Sequence, residues 1–235
     1  VSPCFAFRHK PAHETSAEYV ARLAAELEAE FQRVGPGRVI AFLAEPVVGA
    51  TSGCVAPEPG YFAAIREVCD RHGALLILDE IMSGMGRCGT THTWEQEGVT
   101  PDLQAVAKGL AGGYLPLGAM LVSRTVMRAL EAGSGAFAHG HTFQAHPVAC
   151  AAALEVQRII AEEHLVENVQ RMGAVLTERL RARFDAHQHV ADIRGRGLFQ
   201  ALEFVEDRAT LAPFEATRQF AARLKRTALE HGLAV

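Results

Sequence analysis

Two apolar runs in the first half of the chain carry no polar alternation, and each stops abruptly at a carboxylate. Residues 39–44 (VIAFLA) end at Glu45, and residues 74–78 (ALLIL) end at Asp79. A strand with one wet face alternates with period two, whereas an unbroken apolar run reads as a strand covered on both faces. A third short stretch, residues 103–107, runs into Lys108, and residues 118–122 read as a further strand after a glycine-rich turn. The intervening segments are helical in pattern. Tyr19, Leu23, Leu27 and Phe31 repeat every four residues behind a Thr15/Glu18 capping box. Phe62, Ile65, Val68 and Cys69 form a second stripe closed by Gly73 in a helix-stop position. Strand–helix–strand alternation of this kind predicts an α/β fold, a mostly parallel sheet wrapped by helices.

From Pro147 the character changes. Ala149, Ala152, Ala153, Val156 and Ile160 make one apolar stripe, and Leu165, Val169, Met172, Leu176 and Leu180 extend it. This predicts a long helix broken near Glu163-His164. Alternation through Ile193, Leu198, Ala201 and Phe204 then predicts strands, and residues 214–231 a last helix. The expected boundary runs along the long helix, with residues 1–150 as one sheet domain and 151–235 as the helix plus part of a second, smaller α/β domain. The chain opens on Val1 and stops on apolar residues that read as the start of a strand, so a fragment of a longer protein is expected.

Charge and cysteine content narrow the function classes. Twenty-three Lys+Arg against 27 Asp+Glu give a net charge of −4, with no basic footprint for nucleic acid. Five cysteines, odd in number, widely spaced and without a C-x-x-C pair, argue against a disulfide framework or a zinc ribbon and for a reducing, cytoplasmic setting. No apolar run approaches the roughly 18 residues that span a bilayer.

Three strand ends carry Glu45, Asp79 and Lys108, separated by 34 and 29 residues, which suits successive strand-plus-connection units. In an open α/β sheet, ligands sit outside the carboxyl ends of the strands, so these side chains are expected along one crevice. Asp79 alone could be a helix cap or a metal ligand, but no G-x-x-x-x-G-K-[ST] accompanies it as nucleotide hydrolysis would require. A lone, partly buried carboxylate needs a cationic partner, and a protonated pyridine nitrogen suits it. Lys108 could be a surface lysine. Its small apolar flanks, Val106-Ala107 and Gly109-Leu110-Ala111, instead predict a desolvated, nucleophilic amine fit for Schiff-base chemistry. His139, His141 and His146 match no standard metal-ligand spacing. Gly195-Arg196-Gly197, half of a dinucleotide fingerprint, precedes a strand rather than a helix and reads as a turn.

Leu78-Asp79-Glu80-Ile81, Gly84-Met85-Gly86-Arg87-Cys88-Gly89, Pro101-Asp102, Ala107-Lys108-Gly109-Leu110 and Gly112-Gly113-Tyr114-Leu115-Pro116-Leu117-Gly118-Ala119 occur in that order. With His139-Gly140-His141-Thr142-Phe143 and the segment from His146 to Leu154, this set resembles the class III pyridoxal-phosphate aminotransferases. The wording around Tyr114 is closest to their omega-aminotransferase branch. The resemblance spans essentially the whole chain, most clearly residues 39–154, and implies fold type I of the pyridoxal-phosphate transferases.

The roles that follow are implied by the resemblance. Lys108 forms the Schiff base with pyridoxal 5′-phosphate and then moves a proton as base and acid. Asp79 pairs with the pyridinium nitrogen. Met82 stands where many members set Val or Gln against the cofactor ring, which keeps the packing role but leaves any hydrogen bond to the ring hydroxyl unaccounted for. Thr142 matches the threonine that reaches the phosphate of the other subunit's cofactor, in a homodimer with active sites at the interface; by itself it reads equally as a helix cap. Glu45 matches an acidic residue near the substrate, which pairs with an arginine beyond Val235. No metal is implied, and the partners are a small amino donor and a keto acceptor. Residues 1–150 then belong to the cofactor-binding large domain, and 151–235 to the interdomain helix and C-terminal small domain. The family's Gly/Ser-rich phosphate loop at a helix N-terminus is expected upstream of Glu45, and residues 1–44 do not contain it. A pyridoxal-phosphate decarboxylase or aminomutase on the same scaffold, and an inactive truncated fragment, are the alternatives.

Overall fold

Parallel strands β1 (Ala41–Ala44), β2 (Leu75–Asp79) and β3 (Leu103–Val106) lie side by side in that order, and β4 (Ala119–Val122) closes the sheet antiparallel to β3. The computed structural model describes residues 1–235. Its α-helices are α1 (Ala6–His9), α2 (Ser16–Val34), α3 (Tyr61–His72), α4 (Arg124–Ala132), α5 (Pro147–Glu162), α6 (Leu165–Phe184) and α7 (Phe220–Glu230). An antiparallel hairpin of β5 (Val190–Arg196) and β6 (Phe199–Phe204) forms a second sheet. No helix is long and apolar enough to cross a membrane.

Local chemistry sets the helix boundaries. The Thr15 hydroxyl accepts the Glu18 N–H at 3.2 Å, and the Glu18 carboxylate accepts the Thr15 N–H at 2.8 Å, completing the expected capping box of α2. Gly73 ends α3 with φ +65°, a left-handed conformation that a residue with a Cβ adopts at a cost. The stripe Tyr19, Leu23, Leu27 and Phe31 meets Phe62, Ile65 and Val68 of α3 and Leu76 and Leu78 of β2 in one core cluster. Each large side chain buried there contributes roughly 1.5–3 kcal/mol. Asp102 pins the layers together, accepting from Arg66 of α3 at 2.7 Å and from the Leu76 N–H at 2.8 Å.

Several expectations need correction. The helix expected over residues 214–231 starts only at Phe220, after a short 3₁₀ turn (Ala216–Arg218). The long helix does break at the expected point, into α5 and α6. Gly195 and Arg196 belong to β5, and only Gly197 of that triplet, with Leu198, lies between the hairpin strands. Burial on both faces also fails. In β2, Leu76 and Leu78 are buried while Leu75 and Ile77 are half-buried, and Leu43 of β1 is 66% exposed. Within this chain α2 and α3 cover one face of the sheet, and β1 and β4 each have a single strand neighbour.

The hairpin packs on the loops that leave β1 and β2. Arg194 donates to the Ser52 and Gly53 carbonyls, both at 2.7 Å, while the Leu198 N–H donates to the Arg87 carbonyl at 3.2 Å. Val47, Cys54, Cys88 and Phe199 fill the space between as a small second core. The two loops that follow the carboxylate-bearing strands are therefore held from below by the sheet and from the side by the hairpin.

Candidate active site

Strand register decides which side chains meet. Ala44 pairs with Leu78 and Asp79 with Ala105, so Glu45, Asp79 and Lys108 leave three adjacent parallel strands at the same edge. That is the crevice expected for an open α/β sheet.

Asp79 is half-buried, and its carboxylate accepts one bond, from the Ile81 N–H to Oδ1 at 2.9 Å. This local turn fixes the carboxylate direction and leaves Oδ2 without a partner in the chain. Glu45 turns back on its own loop, its Oε2 accepting the Gly49 N–H at 3.0 Å. Gly49 lies directly against the Met82 sulfur, so a side chain there would displace Met82. Met82 also packs on the small core of Val47, Cys54, Cys88 and Phe199. Glu45, Gly49 and Met82 thus form one contact line beside Asp79.

Lys108 differs from expectation. It is exposed rather than desolvated, because β3 ends two residues earlier and the glycine-rich turn that follows leaves its side chain uncovered. The amine forms no hydrogen bond or ion pair. The backbone is unusual: φ is +44°, a region that non-glycine residues enter at a cost and that clusters at functional sites. Gly109 follows in close contact, since a Cβ there would sit 2.9 Å from that of Met85. From α5, Gln157 donates to the Leu110 carbonyl at 3.0 Å and holds the turn.

Thr142 stands apart, exposed in the turn ahead of α5 and without a hydrogen bond to β1–β3 or their loops. Nor does it cap α5. His146 takes that part, its Nδ1 accepting the Ala149 N–H at 3.4 Å. No three His, Cys, Asp or Glu side chains gather into a group that could hold a metal ion.

Sequence reasoning passed over Glu80. It is fully buried, its Oε2 and Oε1 accepting the Thr93 and Trp94 N–H groups at 2.7 and 2.8 Å. Burial pushes its carboxyl above the usual carboxylate range, partly offset by these bonds. The signal was available: period two through Leu76 and Leu78 carries Glu80 onto the buried side, opposite Asp79.

Residues 3–235 match the family Aminotransferase class-III. The chain belongs to the class III aminotransferases. It is 52% identical over 235 residues to an uncharacterized aminotransferase of Schizosaccharomyces pombe, covering all of this chain and 51% of that protein. Among solved structures it resembles an (S)-enantioselective omega-transaminase from Thermomicrobium roseum, with TM-score 0.95 and 38% identity over 100% of this chain and 52% of that one. An omega transaminase from Pseudomonas jessenii in complex with PMP matches with TM-score 0.93 and 36% identity, again over 100% and 52%. The chain thus spans about half the length of these relatives. Their fold is the pyridoxal-phosphate transferase type expected for this chain.

Proposed function

We propose that the whole protein catalyses pyridoxal-phosphate-dependent transamination, moving an amino group from an amino acid or amine to a keto acid or aldehyde. The observation that carries this reading is the pair of Asp79 and Lys108 at the carboxyl ends of neighbouring parallel strands, in a class III aminotransferase chain.

The residues fit the cofactor. Asp79 has an unpaired oxygen for a ring N–H, the Lys108 amine is free, and Gly109 adds no side chain beside it. Pyridoxal 5′-phosphate, when bound, supplies an electron sink for the carbanion left at Cα. Asp79 keeps the ring nitrogen protonated by charge pairing. Lys108 would hold the cofactor through Nζ, and the same amine, once freed, would take a proton from the substrate Cα and return it as an acid. Met82 packs against the ring, and Glu45 lies toward the substrate, where it can pair with an arginine. Thr142 would serve the phosphate of a partner subunit in a homodimer. In this reading residues 1–150 are part of the cofactor-binding domain, and 151–235 are the interdomain helix and part of the small domain. The five free cysteines fit a cytoplasmic setting.

A half-reaction tests the reading. Amino acids and primary amines added singly to the loaded protein should convert bound cofactor to its pyridoxamine form, with one equivalent of carbonyl product released. Release of carbon dioxide without that conversion would contradict amino transfer.

A further inference from the structure

Glu80 is a carboxylate in an expensive place. It is 0% exposed, no cation pairs with it, and a buried charge without a counter-ion is costly unless its oxygens are fully hydrogen-bonded. What it receives instead is two consecutive backbone N–H groups, one on each oxygen, from Thr93 and Trp94. Only a carboxylate offers acceptors on both terminal atoms; an amide would turn one of them into a donor facing a donor.

Around it the contacts continue. Buried Gln104 of β3 accepts from Trp94 Nε1 at 3.1 Å and shares a hydrogen bond with His92 Nδ1 at 2.9 Å. The Thr93 hydroxyl donates to the Ser83 carbonyl at 2.9 Å, and the Met85 N–H donates to the Thr91 carbonyl at 2.8 Å. Residues 91–94 are thereby clamped along residues 80–85. That second segment is the turn whose Ile81 N–H fixes Asp79 Oδ1, whose Gly84 N–H closes back on the Glu80 carbonyl at 2.9 Å, and which carries Met82. Both Glu80 oxygens and the Gln104 amide are hydrogen-bonded, while the Ser83 hydroxyl, buried in the same turn, has no partner; buried hydrogen bonds of this kind rigidify what they join.

We propose that Glu80 is a positioning residue for the cofactor site: by locking residues 91–94 to the turn 80–85, it aims the Asp79 carboxylate and seats Met82. This rests on the reading of Asp79 as the partner of the cofactor ring.

The test uses the whole protein and pyridoxal 5′-phosphate as the probe, with two readouts besides activity. One is the affinity for the cofactor. The other is the pH at which the bound cofactor's absorbance band changes, which reports the charge felt by its ring. Glu80→Gln, Asp79→Asn and Leu27→Ala are compared, the last being a core truncation in α2 that lowers stability without touching the site. Glu80→Gln should weaken cofactor binding about tenfold, the scale of one lost hydrogen bond to a buried group. It should also move the absorbance titration in the same direction as Asp79→Asn, while Leu27→Ala leaves both readouts at their wild-type values. Should Glu80→Gln not fold, Gln104→Leu carries the same test through the same clamp, with an expected loss of about threefold. Wild-type affinity and titration in a clamp variant that has lost thermal stability, with Asp79→Asn altered in both, would overturn the proposal alone. Wild-type readouts in Asp79→Asn itself would overturn the reading of Asp79 and this proposal with it.

Discussion

At Lys108 two requirements meet in one residue: an amine at the end of β3 and a backbone at φ +44°. The left-handed region costs a side-chain-bearing residue about 1–2 kcal/mol, which the tether from Gln157 and the contact of Gly109 with Met85 hold in place. Replacing Lys108 by Ala keeps that cost and replacing it by Gly removes it, so Lys108→Gly should unfold at higher denaturant than Lys108→Ala, by about 1 kcal/mol. Equal stabilities would mean that the backbone there is unstrained. Neither variant should transaminate. Asp79→Asn keeps the shape and the Ile81 bond but removes the charge. It should fold with near-native thermal stability and lose most of its rate of Cα deprotonation in single-turnover kinetics, because an unprotonated ring is a poor electron sink. Near-normal turnover would assign the ring nitrogen to another group. How much of this could be read beforehand differs from residue to residue. The strand-end positions of Glu45, Asp79 and Lys108 were visible because apolar runs that stop at charges mark strand termini. The exposure and strain of Lys108 were not, since both depend on how β4 and α5 return past it. Glu80 was hidden behind its more suggestive neighbour although the alternation of β2 already carried it inward.

Among elements, the α2–α3 pair was the most readable, because its caps and four-residue repeats are local. The one-sided cover of β2 was not, because an apolar run states what a strand tolerates and not which helices lie on it. The cap of α5 was left open for a similar reason: Thr142 has the right chemistry for a cap, but the turn at residues 142–145 sets His146 next to the Ala149 N–H. Helix α2 is also joined by charge to the C-terminal end of α3. Glu28 meets His72 at 2.7 Å and Arg71 at 2.9 Å, which hold its carboxyl down at about 2. A carboxyl depressed on folding stabilises fully above its unfolded value of about 4.3, and that contribution is lost as pH falls through the folded value. Glu28→Gln should therefore flatten the loss of stability between about pH 4 and pH 2, measured by denaturant titration at each pH. An unchanged acid limb would show that the cluster does not survive in solution.

For the whole molecule, the proposed function implies an active site built by two subunits, in which Thr142 would serve the partner's phosphate. Its exposed turn, distant in bonding terms from the strand-end cluster, is what such a role needs. In a mixed dimer of one Lys108→Ala subunit and one Thr142→Ala subunit, both lesions then fall on one site and the other stays intact. Cofactor affinity at the site that retains Lys108 should be normal. Weakening there, by the roughly 1.5–3 kcal/mol of a hydrogen bond to a charged group, would show that Thr142 acts within its own subunit. Beneath all of this lies the claim that Lys108 is the residue joined to the cofactor. Borohydride reduction of the whole protein loaded with pyridoxal 5′-phosphate, followed by peptide mass spectrometry, tests it directly. A single reduced adduct on the peptide containing Lys108 is expected; an adduct on Lys225 or Lys10, or on no lysine at all, would show that Lys108 does not hold the cofactor.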